Sequence, residues 1–523
     1  MIYKVIIPSA GLGSRLQHFS KHINKSLVAV GHKPVISHII EKFPRDIEIV
    51  IPVGYKKDTV RDYVQIAHPD RIINFVEIDI YEGEGSGLGY TMLQCEKLLQ
   101  CPFIFCANDT LVKEEIKPPI TNWMGFAEGY DTEQYRAIEC DDSLQVTEIL
   151  SKGTSGKNIK PYIGLCGIHD FAQFWEAMSK GKDQGSIEVG ESYGLKFLMN
   201  NTINAECFTW FDTGNIDALE KARNIYEKDL DLNILEKQDE AIWFVNNRVI
   251  KFSIDSKFIS NRVKRTKYLG DYVPQIIKSS KNMYAYEIVE GEIFSKNPNI
   301  EKFSKFLEWM KNFWQKKNIN QVKEKNFLEC NLAFYKEKTY SRVEEYFERF
   351  EYIDNNEIIN GAKVPKLMDI LDMLDWNYLS QSSPYNFHGD LHFENILINK
   401  NSKRPFTLLD WRQDYGGIIE YGDIYYDFAK LNHGLIISHE IINKGLFDIN
   451  HKYNKIDYDF LRKNNLVECE IYFRNYINEK GFDYKKVEML TFLIFLNIAA
   501  LHHYPYSLLL FYLGKAGLFN LIK

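Results

Sequence analysis

The chain has 523 residues, of which 45% are hydrophobic and 26% are charged, and its formal net charge is −7. A single hydrophobic core rarely grows beyond about 250–300 residues, so this length predicts at least two domains. The composition excludes wholesale disorder. The mildly acidic balance argues against non-specific nucleic-acid binding as the main role, because that role normally requires a basic excess.

The sequence also indicates the compartment. Its eight cysteines form no C-x-x-C pair, which favours buried thiols in a reducing compartment over a disulfide framework. The N-terminus shows no signal-peptide pattern. The apolar stretch from Met489 to Leu501 is shorter than the roughly 20 residues that cross a bilayer, so we predict a buried core helix there. We therefore expect a cytoplasmic protein with no membrane span and no nucleic-acid partner.

The first half of the chain alternates short apolar runs with helical patterns. Strands separated by helices predict βαβ units and a mainly parallel sheet. The predicted strands are Tyr3–Pro8, Ile47–Pro52, Ile73–Ile78 and Phe103–Cys106, and the predicted helices are Asp58–Ile66 and Asp217–Asp229.

The second half has a different pattern. Ala241–Phe252 predicts a β-hairpin with two asparagines at its turn, where positive φ is tolerated. After Phe303 the pattern is helical, except for one strand-like island at Phe406–Asp410. We place the domain boundary at residues 225–238, with a first domain at residues 1–228 and a second at residues 238–523.

A glycine-containing loop, P-S-A-G-L-G-S-R-L, follows the first predicted strand at residues 8–16. Its small residues let the backbone approach a triphosphate, and its N–H groups can point at the phosphates. Arg15 can neutralise a leaving pyrophosphate, and Lys25 can hold phosphates of the nucleotide or the acceptor. The loop has Leu16 where a Rossmann fingerprint has its third glycine, and it is not a Walker A motif. A tight turn without a ligand is the alternative.

Four elements in order resemble the sugar-nucleotidyltransferase superfamily. They are G-L-G-S-R-L at residues 11–16, N-K-S-L at residues 24–27 with asparagine in place of the usual proline, N-D at residues 108–109, and W-F-D-T-G at residues 210–214. Two carboxylates can hold Mg²⁺ between the α-phosphate and the incoming phosphate, whereas either one alone can be a turn cap. The resemblance implies a Rossmann-like nucleotidyltransferase sheet, with Ala10, Gly11 and Gly13 at the nucleotide and Asp109 and Asp212 as metal ligands.

Two further segments are compared with the same family. The glycine-dense G-E-G-S-G-L-G-Y at residues 83–90 has the place of the family segment that surrounds the base and sugar. The resemblance implies nucleotide contacts from Gly85, Ser86 and Gly87, and a flexible surface loop is the alternative. Lys152 lies where the family often carries a lysine that touches the acceptor phosphate, and we predict that it binds the acceptor.

The most specific motif is F-H-G-D-L-H-F-E-N-I-L-I at residues 387–398, followed by L-L-D-W at residues 408–411. Phosphoryl transfer to an alcohol needs a carboxylate for the hydroxyl proton and ligands for the Mg²⁺ of ATP. The motif resembles the aminoglycoside phosphotransferase and choline kinase family. That resemblance implies a bilobal, protein-kinase-like α+β domain in which Asp390 is the catalytic residue and Asn395 and Asp410 are metal ligands.

Other parts of that domain match less completely. Asp427, in G-D-I-Y-Y-D-F-A at residues 422–429, has the position of a structural aspartate of the family. Lys251 is predicted to hold the α- and β-phosphates of ATP, and Tyr286–Val289 to form the hinge that meets adenine. The helix expected at about Lys257 to Leu269 contains no glutamate to pair with this lysine, and the preceding hairpin has no glycine-rich loop. A degenerate kinase domain with a binding or regulatory role is therefore an alternative.

Together the two halves predict a bifunctional enzyme. It would phosphorylate a small alcohol or sugar with ATP, and then transfer NMP to a phosphate monoester to give an activated precursor for surface polysaccharide. We take CTP as the second nucleotide. A sugar, a polyol and an amino alcohol all stay open as the acceptor. Two alternatives also stay open: an active nucleotidyltransferase with a degenerate kinase domain, and a non-catalytic scaffold.

Overall fold

The computed structural model describes residues 2–226, 239–400 and 403–523. Its chain forms two compact units. The first comprises the residues up to Ser256 together with Ile277–Ile288, and the second comprises Lys257–Ile276 and Val289–Lys523.

The first unit consists of short strands interleaved with helices. Its strands are β1 (Lys4–Ile6), β2 (Ala29–Val30), β3 (Lys33–Pro34), β4 (Glu48–Val53), β5 (Ile73–Glu77), β6 (Phe103–Cys106), β7 (Thr110–Val112), β8 (Asn122–Phe126), β9 (Ala137–Cys140), β10 (Val146–Leu150), β11 (Ile159–Ile168), β12 (Ile203–Cys207), β13 (Trp210–Asp212), β14 (Glu240–Val245), β15 (Arg248–Ser253), β16 (Ile276–Ser279, which begins at the limit of the unit) and β17 (Met283–Glu287). Its helices are α1 (Val35–Glu41), α2 (Lys57–Ala67), α3 (Leu88–Cys95), α4 (Phe171–Lys180), α5 (Ser186–Val189), α6 (Glu191–Phe197) and α7 (Ile216–Tyr226).

The central sheet of this unit has nine strands in the order β10-β9-β11-β6-β1-β4-β5, and β8 pairs with both β11 and β12. The four predicted strands, β1, β4, β5 and β6, run parallel to one another. The sheet is mixed rather than wholly parallel, because β11 runs antiparallel to β6, β8 and β9. Helical crossovers join the first strands and force them parallel, whereas the later strands include a direct hairpin. The result is a mixed α/β unit with a Rossmann-like parallel part.

Burial on both faces of the sheet explains why its central strands read as unbroken apolar runs. Val5 and Ile49 lie in one hydrophobic core, and their chain neighbours Ile6 and Val50 lie in the other. This alternation is the two-residue period of a strand with both faces covered. The loops after β1 and β6 leave the same end of the parallel strands, where ligands bind in open α/β sheets.

The predicted hairpin is confirmed as β14 and β15. Its turn residues Asn246 and Asn247 have φ of 47° and 59°, the left-handed values of a two-residue type I′ turn. Trp243 and Ile250 lie in the same hydrophobic core as the N-terminal strands, and this packing groups the hairpin with the first unit. The predicted boundary falls mostly on residues 227–238, which lie outside the described residues.

The second unit is mainly helical. Its helices are α8 (Ser256–Leu269, which begins at the limit of the unit), α9 (Ile300–Lys311), α10 (Gln321–Leu332), α11 (Lys338–Arg349), α12 (Leu367–Met373), α13 (Trp376–Ser380), α14 (Ile424–Ile436), α15 (His439–Asn443), α16 (Asn464–Glu479), α17 (Tyr484–Ala499) and α18 (Tyr506–Ile522), and a π-helical turn (Ala333–Glu337) joins α10 to α11. Its strands are β18 (Gly291–Ile293), β19 (Glu357–Ile359), β20 (Ala362–Val364), β21 (Pro384–Tyr385), β22 (Ile396–Asn399), β23 (Phe406–Leu408), β24 (Gly422–Asp423), β25 (Phe447–Lys452) and β26 (Lys455–Phe460).

The prediction of a single strand island in this half was wrong. The structure has a three-stranded sheet, β18-β22-β23, and a four-stranded sheet, β20-β19-β26-β25. These strands are three to six residues long, and β25 and β26 carry mostly polar, exposed side chains. Alternating apolar residues are present in β25 (Phe447 and Ile449) and in β26 (Ile456, Tyr458 and Phe460), where they lie in or against the hydrophobic core of the second unit. Each alternation spans at most six residues, which makes it a weak signal for a strand.

Two compositional predictions have different outcomes. The apolar stretch at residues 489–501 lies on α17, most of whose side chains are buried, so the predicted core helix is confirmed. No helix in the described part of the chain is both long enough and apolar enough to cross a membrane. The expectation that the cysteines are buried fails in part, because Cys207 is exposed and Cys101 and Cys330 are partly exposed.

A buried lysine ties α18 to the segment that contains β19. Lys515 has no exposed side-chain surface, and its Nζ lies 2.6 Å from Glu357 Oε2 and 3.3 Å from Asp354 Oδ1. Its Nζ also donates to the backbone oxygen of Asn355 at 3.0 Å. Removing one member of a buried ion pair leaves the remaining charge uncompensated, which costs about 3–5 kcal/mol.

We expect Lys515→Met to weaken the attachment of α18. Amide hydrogen exchange in peptides from Tyr506–Ile522 should accelerate by roughly 100- to 1,000-fold, measured by mass spectrometry of the full chain. Lys444→Met is the matched control, because Lys444 pairs with Glu440 at the surface and should leave exchange in α18 unchanged. Equal exchange in both variants would contradict the assignment.

Candidate functional sites

Two aspartates come together at the edge of the first unit's sheet. Asp109 follows β6, and Asp212 is the last residue of β13. The antiparallel pairing of β13 with β7 sets Asp212 opposite Thr110, and the backbone N–H of Thr213 donates to the oxygen of Asp109 at 3.0 Å. The sequence motifs at residues 108–109 and 210–214 therefore form one site.

Positive charge is unequally shared between these two carboxylates. Lys25 Nζ lies 2.9 Å from Asp109 Oδ2. Burial by itself raises the pKa of Asp109, but Lys25 and Arg15 outweigh burial and keep this pKa below its ordinary value. Burial raises the pKa of Asp212, and the nearby charge of Asp109 raises it further. Asp109 is thus held ionised. A cation that binds between the two carboxylates would lower the pKa of Asp212 and favour its charged form.

The space between the two carboxylates fits a metal ion. A Cβ atom on Gly214 would lie 3.0 Å from Asp212 Oδ1, 3.1 Å from Asp109 Oδ2 and 3.4 Å from Arg15 Nη2, so the missing side chain leaves room among these three groups. Within the described residues, no group of three His, Cys, Asp or Glu side chains can hold a metal ion by itself. Mg²⁺ is commonly held by one or two carboxylates together with substrate phosphates, and this pair of oxygen ligands matches that donor set.

The glycine loop brings its backbone close to this pair of acids. Gly13 has φ of 69°, and a Cβ atom on it would lie 2.7 Å from Lys25 Cβ, whereas a Cβ on Gly11 would meet no atom within 4 Å. Ala10 is buried, and its backbone oxygen accepts from Tyr55 N at 2.8 Å. The left-handed backbone conformation at position 13 and the close approach of Lys25 therefore require a glycine there. Gly11 faces open space, which leaves room for phosphates to approach.

Asn24, which departs from the family pattern, has a clear structural role. Its Nδ2 donates to the backbone oxygens of Ser9 at 3.0 Å and Tyr55 at 2.8 Å, and its Oδ1 accepts from the N–H of Ser26. The amide therefore fixes the turn that carries Lys25 against the glycine loop. A proline has no side-chain amide and cannot make these bonds.

The glycines at residues 83–90 have different roles. A Cβ atom on Gly87 would lie 2.2 Å from the backbone oxygen of Ile187, so its small size is needed for packing. Gly85 has φ of 80° and meets no atom within 4 Å, and Ser86 Oγ donates to the oxygen of Gly83 at 2.6 Å. Nucleotide contacts from Gly85, Ser86 and Gly87 stay a prediction. For Gly87, close packing against Ile187 already explains why the residue is a glycine.

Lys152 is exposed in the turn after β10. Its neighbour Gly153 donates its N–H to the oxygen of Thr132 at 2.8 Å, and Thr132 Oγ1 donates to the oxygen of Thr154 at 2.6 Å. These bonds connect the turn that contains Lys152 with the segment that contains Tyr135. The hydroxyl of Tyr135 in turn contacts Asp212. The acceptor-binding role of Lys152 stays a prediction.

Sequence analysis missed the aromatic residues at this site. Tyr135 donates its hydroxyl to Asp212 Oδ2 at 2.9 Å, and Tyr130 donates to the backbone oxygen of Trp210 at 2.6 Å. The ring centroids of both tyrosines lie 4.8 Å from that of Trp210. Tyr135 is 77 residues away from Asp212 in the chain, so no local pattern connects the two.

In the second unit, one hairpin brings Asp390, Asn395 and Asp410 together. β22 begins immediately after Asn395, β23 ends two residues before Asp410, and Ile396 pairs with Leu408. The N–H of Leu409 donates to the oxygen of Asn395 at 2.8 Å, and Asn395 Nδ2 donates to the backbone oxygen of Asp390 at 2.9 Å. The carboxylate and amide oxygens of Asp410 and Asn395 form a donor set that suits Mg²⁺.

Asp427 holds the loop that carries Asp390. Its buried carboxylate accepts from the backbone N–H groups of His388 at 2.8 Å and Gly389 at 2.7 Å, and from Trp314 Nε1 at 3.1 Å. Burial raises the pKa of Asp427 to about 6, although these hydrogen bonds act in the opposite direction. This geometry matches the structural role that the sequence motif predicts for this residue.

The helix that was expected at about Lys257 to Leu269, and that contains no glutamate, is α8. It brings two arginines to the site around Asp410. Arg262 Nη1 lies 2.7 Å from Asp410 Oδ1. Arg265 is buried, and its guanidinium donates to the backbone oxygens of Phe387 at 2.5 Å and His388 at 3.3 Å. Arg265 therefore holds the backbone of the loop that leads to Asp390. Arg262 supplies the positive charge beside Asp410.

Two cations face the carboxylate of Asp390. Lys430 Nζ lies 2.9 Å from its Oδ1, and His392 Nε2 lies 3.7 Å from its Oδ2. Burial by itself raises the pKa of Asp390, but Lys430 and His392 outweigh burial and hold this pKa well below its ordinary value. Burial lowers the pKa of His392, whereas Asp390 and Glu394 raise it to about 9. Sequence analysis missed Lys430, which lies 40 residues after Asp390 on α14.

Lys251 and all of the predicted hinge except Val289 belong to the first unit. Lys251 is buried on β15, and it pairs with Ile242 and Tyr284 on the neighbouring strands. Within the predicted hinge at Tyr286–Val289, the N–H of Ile288 donates to the oxygen of Asn247 at 2.9 Å. The roles of this lysine and of the hinge stay predictions.

Comparisons with known proteins match part of the chain. No protein-family model matches it. A protein named "Bifunctional protein GlmU" from Methanocaldococcus jannaschii is 27% identical over 193 residues, which are 36% of this chain and 45% of that protein. The protein of the same name from Methanococcus aeolicus is 23% identical over 204 residues, which are 38% and 47% of the two chains. The match thus spans less than half the length of these curated relatives.

Two solved structures show a similarity of the same extent. The CTP:phosphocholine cytidylyltransferase from Streptococcus pneumoniae is 19% identical, with a TM-score of 0.36, and the alignment covers 43% of this chain and 99% of that one. The UDP-glucose pyrophosphorylase from Acinetobacter baumannii is 18% identical, with a TM-score of 0.36, and the alignment covers 43% and 93% of the two chains. At these values neither structure assigns a substrate to this chain.

A mixed sheet with a parallel Rossmann-like part carries a glycine loop and two aspartates at one edge. The N-terminal part of the chain is therefore similar to sugar nucleotidyltransferases.

Substituting Tyr135 with phenylalanine tests how Asp212 is held. A hydrogen bond to a carboxylate favours its charged form, so losing that bond raises the pKa of Asp212 further. Protons then compete with a metal ion up to higher pH. We expect the pH of half-maximal Mn²⁺ binding in the presence of CTP to rise by about 0.5–1 unit, measured by electron paramagnetic resonance.

The measurement uses the full chain carrying Asp410→Asn, which removes a candidate ligand from the second unit. Tyr130→Phe is the control, because that hydroxyl donates to a backbone oxygen rather than to a carboxylate. The same midpoint in both variants would show that Tyr135 does not stabilise the charged carboxylate.

Proposed function

We propose that the chain is a bifunctional kinase and nucleotidyltransferase. The observation that carries this proposal is that each unit holds a partly buried carboxylate beside a lysine. The lysine lies 2.9 Å from Asp109 in the first unit and 2.9 Å from Asp390 in the second. Both sites have oxygen ligands suited to Mg²⁺.

In the first unit the proposed reaction is nucleotidyl transfer. An oxygen of a phosphate monoester attacks the α-phosphorus of a nucleoside triphosphate and forms a new P–O bond. The bond from that phosphorus to the α,β-bridging oxygen breaks, and pyrophosphate leaves with the bridging oxygen. Arg15 neutralises the leaving group, and Lys25 moves from Asp109 to a phosphate oxygen. Asp109 and Asp212 would hold Mg²⁺, which brings the two anions together.

In the second unit the proposed reaction is phosphoryl transfer from ATP. The hydroxyl oxygen of the acceptor attacks the γ-phosphorus, the bond from that phosphorus to the β,γ-bridging oxygen breaks, and ADP leaves. Asp390, which its cationic neighbours keep ionised, orients the hydroxyl and takes its proton. Asn395 and Asp410 would hold the Mg²⁺ of ATP, and Arg262 would have to release Asp410 at that moment. Lys251 is the proposed contact of the α- and β-phosphates.

The two reactions form a sequence. The kinase makes a phosphate monoester, which is the acceptor that a nucleotidyltransferase requires. We propose CTP as the second nucleotide and a sugar, polyol or amino alcohol as the small substrate, with Gly85, Ser86 and Gly87 at the nucleotide and Lys152 at the acceptor phosphate. The activated product would serve surface-polysaccharide synthesis in the cytoplasm.

Two observations favour the alternative that the second unit binds without catalysing. Asp410 is paired with Arg262, and the N–H of Ile288 in the predicted hinge is already bonded to Asn247. Both groups are expected to meet the nucleotide in an active kinase. In that case the chain is a nucleotidyltransferase with a regulatory second unit.

Separate substitutions distinguish the two activities. Pyrophosphate and ADP are measured with each of the four nucleoside triphosphates and a panel of sugars, polyols, amino alcohols and their phosphates. We expect Asp212→Asn to lower pyrophosphate release at least about 100-fold, because a metal ligand is lost, and to leave ADP formation intact. Asp390→Asn should lower ADP formation at least about 100-fold and leave pyrophosphate release intact.

Asp217→Asn and Asp459→Asn are matched controls on the exposed surface of each unit, and they should change neither rate. Pyrophosphate release without any ADP formation would support the regulatory alternative. If no combination yields pyrophosphate, the nucleotidyl-transfer assignment is wrong.

A further inference from the structure

Three basic side chains converge on one buried tyrosine beside Asp390. Lys338 begins α11, Arg412 follows the Asp410-Trp411 pair, and Lys430 lies one turn after Tyr426 on α14. Lys338 Nζ lies 3.4 Å from the Tyr426 hydroxyl, and Lys430 Nζ lies 6.0 Å from the centre of its ring. We name Lys338, Arg412 and Lys430 the cationic cluster.

Aromatic rings, rather than acids, surround two members of this cluster. Lys338 Nζ lies 4.5 Å from the ring centre of Phe334, and the Arg412 guanidinium lies 5.0 Å from the same ring. Arg412 Nε donates to the backbone oxygen of Asp414 at 3.1 Å. Among the described residues, Lys430 pairs with Asp390, but neither Lys338 nor Arg412 has a carboxylate within ion-pair distance. The cluster therefore holds more positive than negative charge.

This excess of positive charge lowers the pKa values of two groups in the cluster region, Tyr426 and Lys338. Burial by itself raises the pKa of the Tyr426 hydroxyl, but the three cations outweigh burial and lower this pKa to about 8. Burial lowers the pKa of Lys338, and Arg412 and Lys430 lower it further, although Tyr426 opposes them. A bound anion would relieve both effects, because it would supply the missing negative charge.

The location of the cluster indicates which molecule would bring that charge. Lys430 touches Asp390, and Asp390 is where an acceptor hydroxyl has to lie. The π-helical turn at Ala333–Glu337 presents Phe334 and Lys338 on this side, and such turns are frequent at functional sites. A quaternary ammonium or an amine would meet like charge here, which selects against amino alcohols.

We propose that the acceptor of the second unit is an anionic alcohol, with a carboxylate or phosphate bound by Lys338 and Arg412 and a hydroxyl directed to Asp390. This inference rests on the phosphoryl transfer proposed above and narrows its substrate class. It replaces the open list of sugar, polyol or amino alcohol with hydroxy acids and alcohol phosphates, and it excludes choline-like molecules.

Calorimetric binding to the full chain tests the proposal without requiring turnover. The titrants are glycerate, glycerol 3-phosphate, glycerol and choline, each with adenylyl imidodiphosphate and Mg²⁺ present. We expect one of the two anions to bind at least about tenfold more tightly than glycerol or choline. Lys338→Met and Arg412→Gln should each weaken that binding about tenfold, the effect of losing a charged hydrogen bond. Lys325→Met, at an exposed lysine of the same unit, should leave it unchanged.

Three results would overturn the anionic acceptor. The first is binding of choline or glycerol as tight as that of the anions. The second is no binding of either anion. The third is a Lys338→Met variant that weakens only the nucleotide analogue, which would assign the cluster to the phosphates of ATP.

A parallel assay of ADP formation keeps the two proposals apart. ADP formed with choline but not with the anions supports the kinase and overturns the anionic acceptor. Anion binding that depends on Lys338, without ADP from any alcohol, supports the anion site and refutes the kinase.

Discussion

A carboxylate that is taken partly out of water stays ionised only if cations or hydrogen bonds compensate its charge, and both candidate sites depend on this constraint. Lys25 stands against Asp109, and Lys430 stands against Asp390. In each case the lysine keeps the acid ionised although burial disfavours its charge. A substrate that brings phosphate and metal can then exchange partners with the pair. In the proposed reactions, Lys25 would move to a phosphate oxygen and Asp109 would meet the metal ion, whereas Asp390 would take the hydroxyl proton.

The backbone fixes these acids in place. The register of β7 and β13 sets Asp212 beside Asp109, and the N–H of Gly214 donates to Asp212 at 2.8 Å. In the second unit, Asp427 grips two consecutive N–H groups of the loop that ends at Asp390. Groups held by main-chain geometry need little reorganisation when charge develops in a reaction. Each unit thus places a lysine against an acid whose position the main chain fixes.

The sequence predicts the parts of this arrangement that are local. Continuous apolar runs show β1, β4, β5 and β6, and two asparagines show the turn of the β14–β15 hairpin, because burial and positive φ leave direct traces in the chain. The aspartates of both sites are found because each one lies inside a short motif of neighbouring residues. Tyr135 and Lys430 contact their aspartates from 77 and 40 residues away, and only tertiary packing brings them there. The strands β19, β20, β25 and β26 are missed because they are only three to six residues long, and so short a run of apolar residues is a weak signal for a strand.

The central claim is that one chain carries two independent phosphate-transfer sites. Equilibrium dialysis of the full chain with Mn²⁺ and non-hydrolysable analogues of ATP and CTP measures this directly, as the number of metal–nucleotide complexes bound per chain. The account predicts two, with one lost when Asp109 and Asp212 are both replaced by asparagine and the other lost when Asn395 and Asp410 are replaced by alanine. A single complex per chain, or one whose loss requires changes in both units together, would contradict it.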